Sequence, residues 1–180
     1  MRRTAYICQV ARYYVGVKSI TLWVALLLLI ALPLSAATLT GRVVSVHDGD
    51  TITVLEADRV QHKIRLQGID APELGQAFGS RSKQYLSSLV YNHHVTVEWN
   101  KFDRYRRVLG VVFVDGHDAN LEQVRAGMAW WYRHYAGDQR PAERRAYETA
   151  EDKAREAKRG LWDDPHPMPP WEWRRQKRKQ

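Results

Sequence analysis

Two carboxylates, Asp50 in HDGDT and Asp70 in GIDAPE, lie at turns beside strand-like segments. A hairpin can bring such positions together. Two carboxylates and a main-chain carbonyl make a hard oxygen site, suited to Ca²⁺ or Mg²⁺ and unsuited to a soft metal. Pro72 fixes its own φ and biases Ala71 toward extended backbone, so the Ala71 carbonyl can point outward. Glu73 follows closely and can accept a proton from an attacking water. Arg65 in KIRLQGID and Arg107 in DRYRR offer fork-shaped donors for phosphate oxygens and for charge developing in a transition state. Cation, base and paired guanidiniums together are the apparatus of phosphodiester hydrolysis. Singly, each is ordinary. An Asp in DGD is commonly a turn residue, an Arg on a strand commonly faces solvent, and APE can open a helix. The combination and its order carry the reading.

Those residues need a frame. LTGRVVSV, TITVLEA and VQHKIRLQGI alternate apolar and polar residues and are rich in β-branched side chains, which predicts three strands between Thr38 and about Leu66. Asp48-Gly49 forms a tight turn between the first two. HVTVEW (94–99) and RVLGVVFV (107–114) predict two more strands. Apolar groups at Phe78, Tyr85, Leu86, Leu89 and Val90 share one face of a helix over 78–91. Asn120 is expected to cap LEQVRAGM, and a charged helix is expected over 141–160, from Pro141 to Gly160. Five short strands with about three helices predict an α+β protein built on a five-stranded Greek-key β-barrel of the OB type, in which closure removes exposed edges.

HDGDT, IRLQGIDAPE, FG before a helix, DRYRRVLGVV, ANLEQVRAGMAWWY and GLW resemble the staphylococcal nuclease-like (thermonuclease) family. The resemblance runs from about Thr38 to Trp162, in order and at family-like spacing. It implies an OB-type barrel with three helices and a Ca²⁺-dependent nuclease. Such an enzyme cleaves DNA and RNA to products ending in 3′-phosphate; for this chain a monomer with no required protein partner is expected. By position it implies Asp50 and Asp70 as carboxylate ligands of Ca²⁺ and the Ala71 carbonyl as a further ligand, where the family often has Thr. Glu73 takes the place of the general base. Arg65 and Arg107 take the places of the phosphate-binding arginines, and Tyr135 falls near a position that lines the nucleotide site. One departure is Arg106, where the family often has Gly: a left-handed backbone there would strain it. The adjacent pair leaves two candidate arginines, with Arg107 favoured by motif position. The alternative function is a non-catalytic OB module that holds single-stranded nucleic acid without cutting. Such a module is expected to lack the catalytic residues, and all five are present.

The remaining residues add less. In MAWWYRHY, Trp130 and Trp131 are expected in the core, while aromatics of this run can also stack on bases. The seven histidines show no helical metal-binding spacing, and His47 beside the DGD turn is expected at the surface. Net charge is +8, but residues 1–37 carry four basic groups and no acid, and Arg174–Lys179 hold five more. Residues 38–173 are nearly neutral, so no generic basic surface exists to hold a polyanion. Residues 1–37 read as a signal peptide: a basic start, the apolar run Leu22–Leu34, then Ser35-Ala36-Ala37. At 13 residues the run is shorter than a membrane span. Export to periplasm or medium is expected, with membrane anchoring if the segment is not cleaved. The sole cysteine, Cys8, lies within it, so the mature chain has no disulfide and no thiolate site. Residues 38–165 are expected to form the domain and 166–180 a Pro/Trp-rich basic tail, in which Trp171 and Trp173 either pack on the barrel or meet a partner.

Overall fold

A computed structural model describes residues 37–179; the expected signal peptide lies outside the described residues except for Ala37. Five long strands form the frame: β1 (Ala37–Val46), β2 (Thr51–Leu55), β3 (Gln61–Leu66), β5 (His94–Phe102) and β6 (Val108–Val114). They hydrogen-bond in the order β3-β2-β1-β5-β6, and β3 pairs with β6 in parallel to close the barrel. The other pairings are antiparallel. The expected five-stranded barrel with helices is therefore the fold. Alternating inward residues, among them Val43, Ile52, Val54, Ile64, Leu66, Val97 and Val112, fill the interior.

Short strands add to the frame. β4 (Ile69–Asp70) pairs with β8 (Trp130–Trp131), and β7 (His117–Asp118) extends the sheet beyond β6. Trp130 and Trp131 are buried, as expected. The helices are α1 (Gly79–Val90), α2 (Ala119–Arg125), α3 (Pro141–Glu156) and α4 (Pro170–Lys177).

Two details of the helices differ from expectation. Asn120 does not cap α2. Asp118 does so, its side chain accepting from the Leu121 amide, while its other oxygen takes the Tyr147 hydroxyl. Asn120 is fully buried instead. It accepts from the Val112 amide and donates to the Gln67 and Gly110 carbonyls, tying α2 to the barrel. Helix α3 ends at Glu156, four residues short of Gly160, because Lys158 enters the left-handed region at φ 50°. A fourth helix, α4, stands where a Pro/Trp-rich basic tail was expected.

Candidate active site

Barrel closure gathers the candidate residues at one mouth. Thr51, the first residue of β2, pairs with Arg65 near the end of β3. Ile64 pairs with Val108, the first residue of β6, and the Arg107 guanidinium just before it lies 3.4 Å from the hydroxyl of Thr51, the residue that pairs with Arg65. Asp50 precedes Thr51, and its carbonyl accepts from the Leu66 amide. Asp70 follows in β4. Strand register thus gathers residues 57 positions apart in sequence (Asp50 to Arg107) around Thr51 at one mouth.

The DGD turn is pinned by a close approach. A Cβ on Gly49 would lie 1.9 Å from the Ser82 hydroxyl on α1, and Gln123 of α2 donates to the Gly49 carbonyl. No side chain fits there. The Asp48 carboxylate accepts from the Asp50 amide and fixes the turn.

Arg65 is the hub. Its Nη2 lies 3.0 Å from Asp50 Oδ2 and 3.0 Å from Asp70 Oδ1, so these two oxygens are no more than 6.0 Å apart. Its Nη1 donates to the Leu66 and Ile69 carbonyls. The Ala71 amide donates to Asp50 Oδ2 at 2.8 Å, which sets Ala71 against both carboxylates. Asp50 and Asp70 are buried. Burial raises the Asp50 carboxyl above the usual range; Arg65 opposes this, and Asp48 and Asp70 add to it.

Glu73 sits on a loop fixed from behind by α1. The Gln76 amide donates to the Glu73 carbonyl, and the Glu73 amide donates to Gln76 Oε1. A Cβ on Gly79 would lie 1.9 Å from the Glu73 carbonyl oxygen, so glycine is required at the helix start. The Glu73 side chain is 40% exposed, which leaves it open to solvent and to a substrate.

Of the two adjacent arginines, Arg107 points into the mouth. Its Nε binds Asp103 Oδ2 at 2.7 Å and its Nη1 lies 3.4 Å from the Thr51 hydroxyl, while Arg106 is exposed. Arg106 adopts φ 61°, the left-handed conformation that glycine takes without strain. Asp103 sets the turn by accepting from the Tyr105 and Arg107 amides. Burial would raise the Asp103 carboxyl, but these hydrogen bonds and the Arg107 guanidinium outweigh it and hold it below the usual range.

Tyr135 is exposed and its ring packs edge-on to Tyr132, at 5.2 Å. Tyr132 lies nearer the carboxylates: its hydroxyl pKa is raised first by burial and then by Asp70. His47 hydrogen-bonds Thr53 and makes no contact with the candidate set.

One member was missed from sequence. Arg174 of α4 binds Asp70 Oδ2 at 2.7 Å and Glu73 Oε1 at 2.8 Å. No local motif marks it, because 101 residues separate it from Glu73. The signal available was Trp171, at helical spacing from Arg174 in PPWEWRR, which gives the tail an apolar face to dock.

Among the described residues, no three His, Cys, Asp or Glu side chains are assembled as a metal cluster. The donor set is smaller: two buried carboxylates and the main chain at Ala71. It is all oxygen, and the Arg65 cation bridges the two carboxylates. Those residues fit a hard divalent cation and not a soft one.

The family model for staphylococcal nuclease homologues matches residues 63–164. An uncharacterized endonuclease of Haemophilus influenzae is 45% identical over 155 residues, covering 84% of each chain. A micrococcal nuclease of Shigella flexneri is 42% identical over 160 residues, covering 84% of this chain and 88% of its own. An uncharacterized endonuclease of Escherichia coli is 44% identical over 146 residues, covering 81% and 91%.

Proposed function

The chain belongs to the staphylococcal nuclease family, and from that premise we propose that it is a Ca²⁺-dependent endonuclease acting on DNA and RNA. Its class, a thermonuclease-like hydrolase, follows from the family. The finer reading rests on one observation: Asp50, Arg65, Asp70, Glu73 and Arg107 converge at one barrel mouth, with Glu73 half-buried and both aspartates buried.

The roles follow from position and burial. Asp50, Asp70 and the Ala71 carbonyl would hold the cation. When bound, Ca²⁺ supplies charge that polarises a phosphate oxygen. Glu73, open to water, accepts the proton of the attacking water molecule. Arg65 and Arg107 would donate to the equatorial oxygens as negative charge builds on phosphorus. Asp103 positions Arg107 from outside the site. Tyr135, and the Tyr132 ring beside it, offer an exposed aromatic edge for a base. The sequence pattern of residues 1–37 supports export to the periplasm or medium, with anchoring if the segment is kept.

The test is digestion of single-stranded DNA and of RNA by the purified protein, with Ca²⁺ or with a chelator. Cleavage to 3′-phosphate ends in Ca²⁺ alone is expected. Tight binding without cleavage in Ca²⁺ would instead identify a non-catalytic OB module.

A further inference from the structure

Asp70 is held by two guanidiniums from opposite parts of the chain. Arg65 takes Oδ1 at 3.0 Å, and Arg174 takes Oδ2 at 2.7 Å while also reaching Oδ1 at 3.2 Å. The same Arg174 binds Glu73 at 2.8 Å. Its side chain is 39% exposed, against 1% for Asp70. One edge of the guanidinium therefore faces the carboxylates and the rest faces solvent at the mouth.

The contact is built and not a wandering tail. Helix α4 begins at Pro170, which is pre-set for a first turn. The Trp171 ring stacks on Tyr132 at 5.2 Å and 17° and meets Trp130 edge-on at 5.5 Å. Trp130 is in turn packed edge-on against Trp162 at 4.3 Å. Gln76, from the loop that carries Glu73, donates to the Met168 carbonyl just before α4. Arg174 follows Trp171 by three residues, so both lie on the same helix face. Burial would lower its pKa, but hydrogen bonds to Asp70 and Glu73 outweigh that and hold it more firmly charged. The segment that matches the family model stops at residue 164, before α4.

We propose that Arg174 is a third phosphate-directed arginine of the active site, parked on Asp70 and Glu73 until a divalent cation takes over the Asp70 carboxylate. The parallel with Arg65 carries this. Both guanidiniums neutralise Asp70, and both are displaced by the same event. Arg65 is then confined to the barrel wall. Arg174 stands at the solvent edge, where an incoming strand presents its phosphates. Release also frees Glu73 from its ion pair, so cation entry would deliver a base and a phosphate donor together.

The inference rests on the nuclease reading above, and the experiment separates the two. Ca²⁺ affinity is measured by calorimetry without nucleic acid, and KM and kcat for single-stranded DNA at saturating Ca²⁺. In Arg174→Gln, Ca²⁺ should bind about tenfold more tightly, because one charge-assisted competitor is gone. KM should rise about tenfold with a smaller change in kcat, because a phosphate contact is lost. Arg174→Lys should restore most of the KM. Arg175→Gln, which removes the neighbouring exposed charge, should move neither quantity. Unchanged Ca²⁺ affinity in Arg174→Gln would overturn the parking contact. An unchanged or lower KM, or an equal rise in Arg175→Gln, would overturn the phosphate role. A wild-type protein that does not cut in Ca²⁺ would defeat the nuclease reading itself, while the calorimetry would still report on Arg174.

Discussion

Asp70 divides the site into two halves with different origins. On one side Arg65, Asp50 and Arg107 are placed by β2, β3 and β6, whose register fixes their main chain. On the other side Arg174 is placed by α4, which is held by stacked aromatic rings, one side-chain-to-carbonyl hydrogen bond and the ion pairs of Arg174 itself. The barrel half is rigid because each position is set by a closed hydrogen-bond ladder. The helix half can withdraw by breaking a few local contacts, since elements with few buried contacts open at low cost. On the proposed mechanism, the chemistry that must stay aligned sits on the first half, and the guanidinium that must move sits on the second.

That contrast can be broken at several points. Arg65→Ala removes the hub of the rigid half and should cost about 10³-fold in kcat, read by single-turnover cleavage at saturating Ca²⁺. Wild-type activity in this variant would show that the barrel half does not do the chemistry. Arg107→Ala should cost about 10²-fold, while Arg106→Ala leaves cleavage near wild type. The reverse pattern would mean that Arg106 enters the mouth.

On the helix half, Trp171→Ala should undock α4 and tighten Ca²⁺ binding by about tenfold, as loss of Arg174 itself should. An unchanged calorimetric trace would mean that the Trp171 stack does not govern Arg174. Arg106→Gly should stabilise the fold by about 1 kcal/mol, because glycine accepts φ 61° without a Cβ penalty. A lower melting temperature would refute the strain.

The smallest effect concerns Asp103. Its carboxyl is depressed below 3.8, so its contribution is present above that value and lost as pH falls through the lower, folded value. Acid unfolding of Asp103→Asn should lack this component; an identical acid limb in both proteins would exclude it.

The two halves also differ in how far they could be read from sequence. The barrel strands announce themselves by period-two patterning and Asp-Gly turns, and their candidate site residues lie within short motifs. The strain at Arg106 was foreseeable because it sits where glycine is usual. Asn120 misled because its type suits a cap; its burial against Gln67 and Gly110 is a tertiary property that no local pattern records. Arg174 was illegible for the same reason. A basic run near a terminus looks like solvated charge, and only the docking of Trp171 on Tyr132 turns one of its members inward.

The central claim is that Glu73 and its neighbours hydrolyse a bound strand. The most direct measurement compares wild type with Glu73→Gln in Ca²⁺, reading binding and single-turnover cleavage of the same DNA. The account predicts that the variant binds as wild type does and cuts slower by orders of magnitude. Cleavage at the wild-type rate by Glu73→Gln would contradict it.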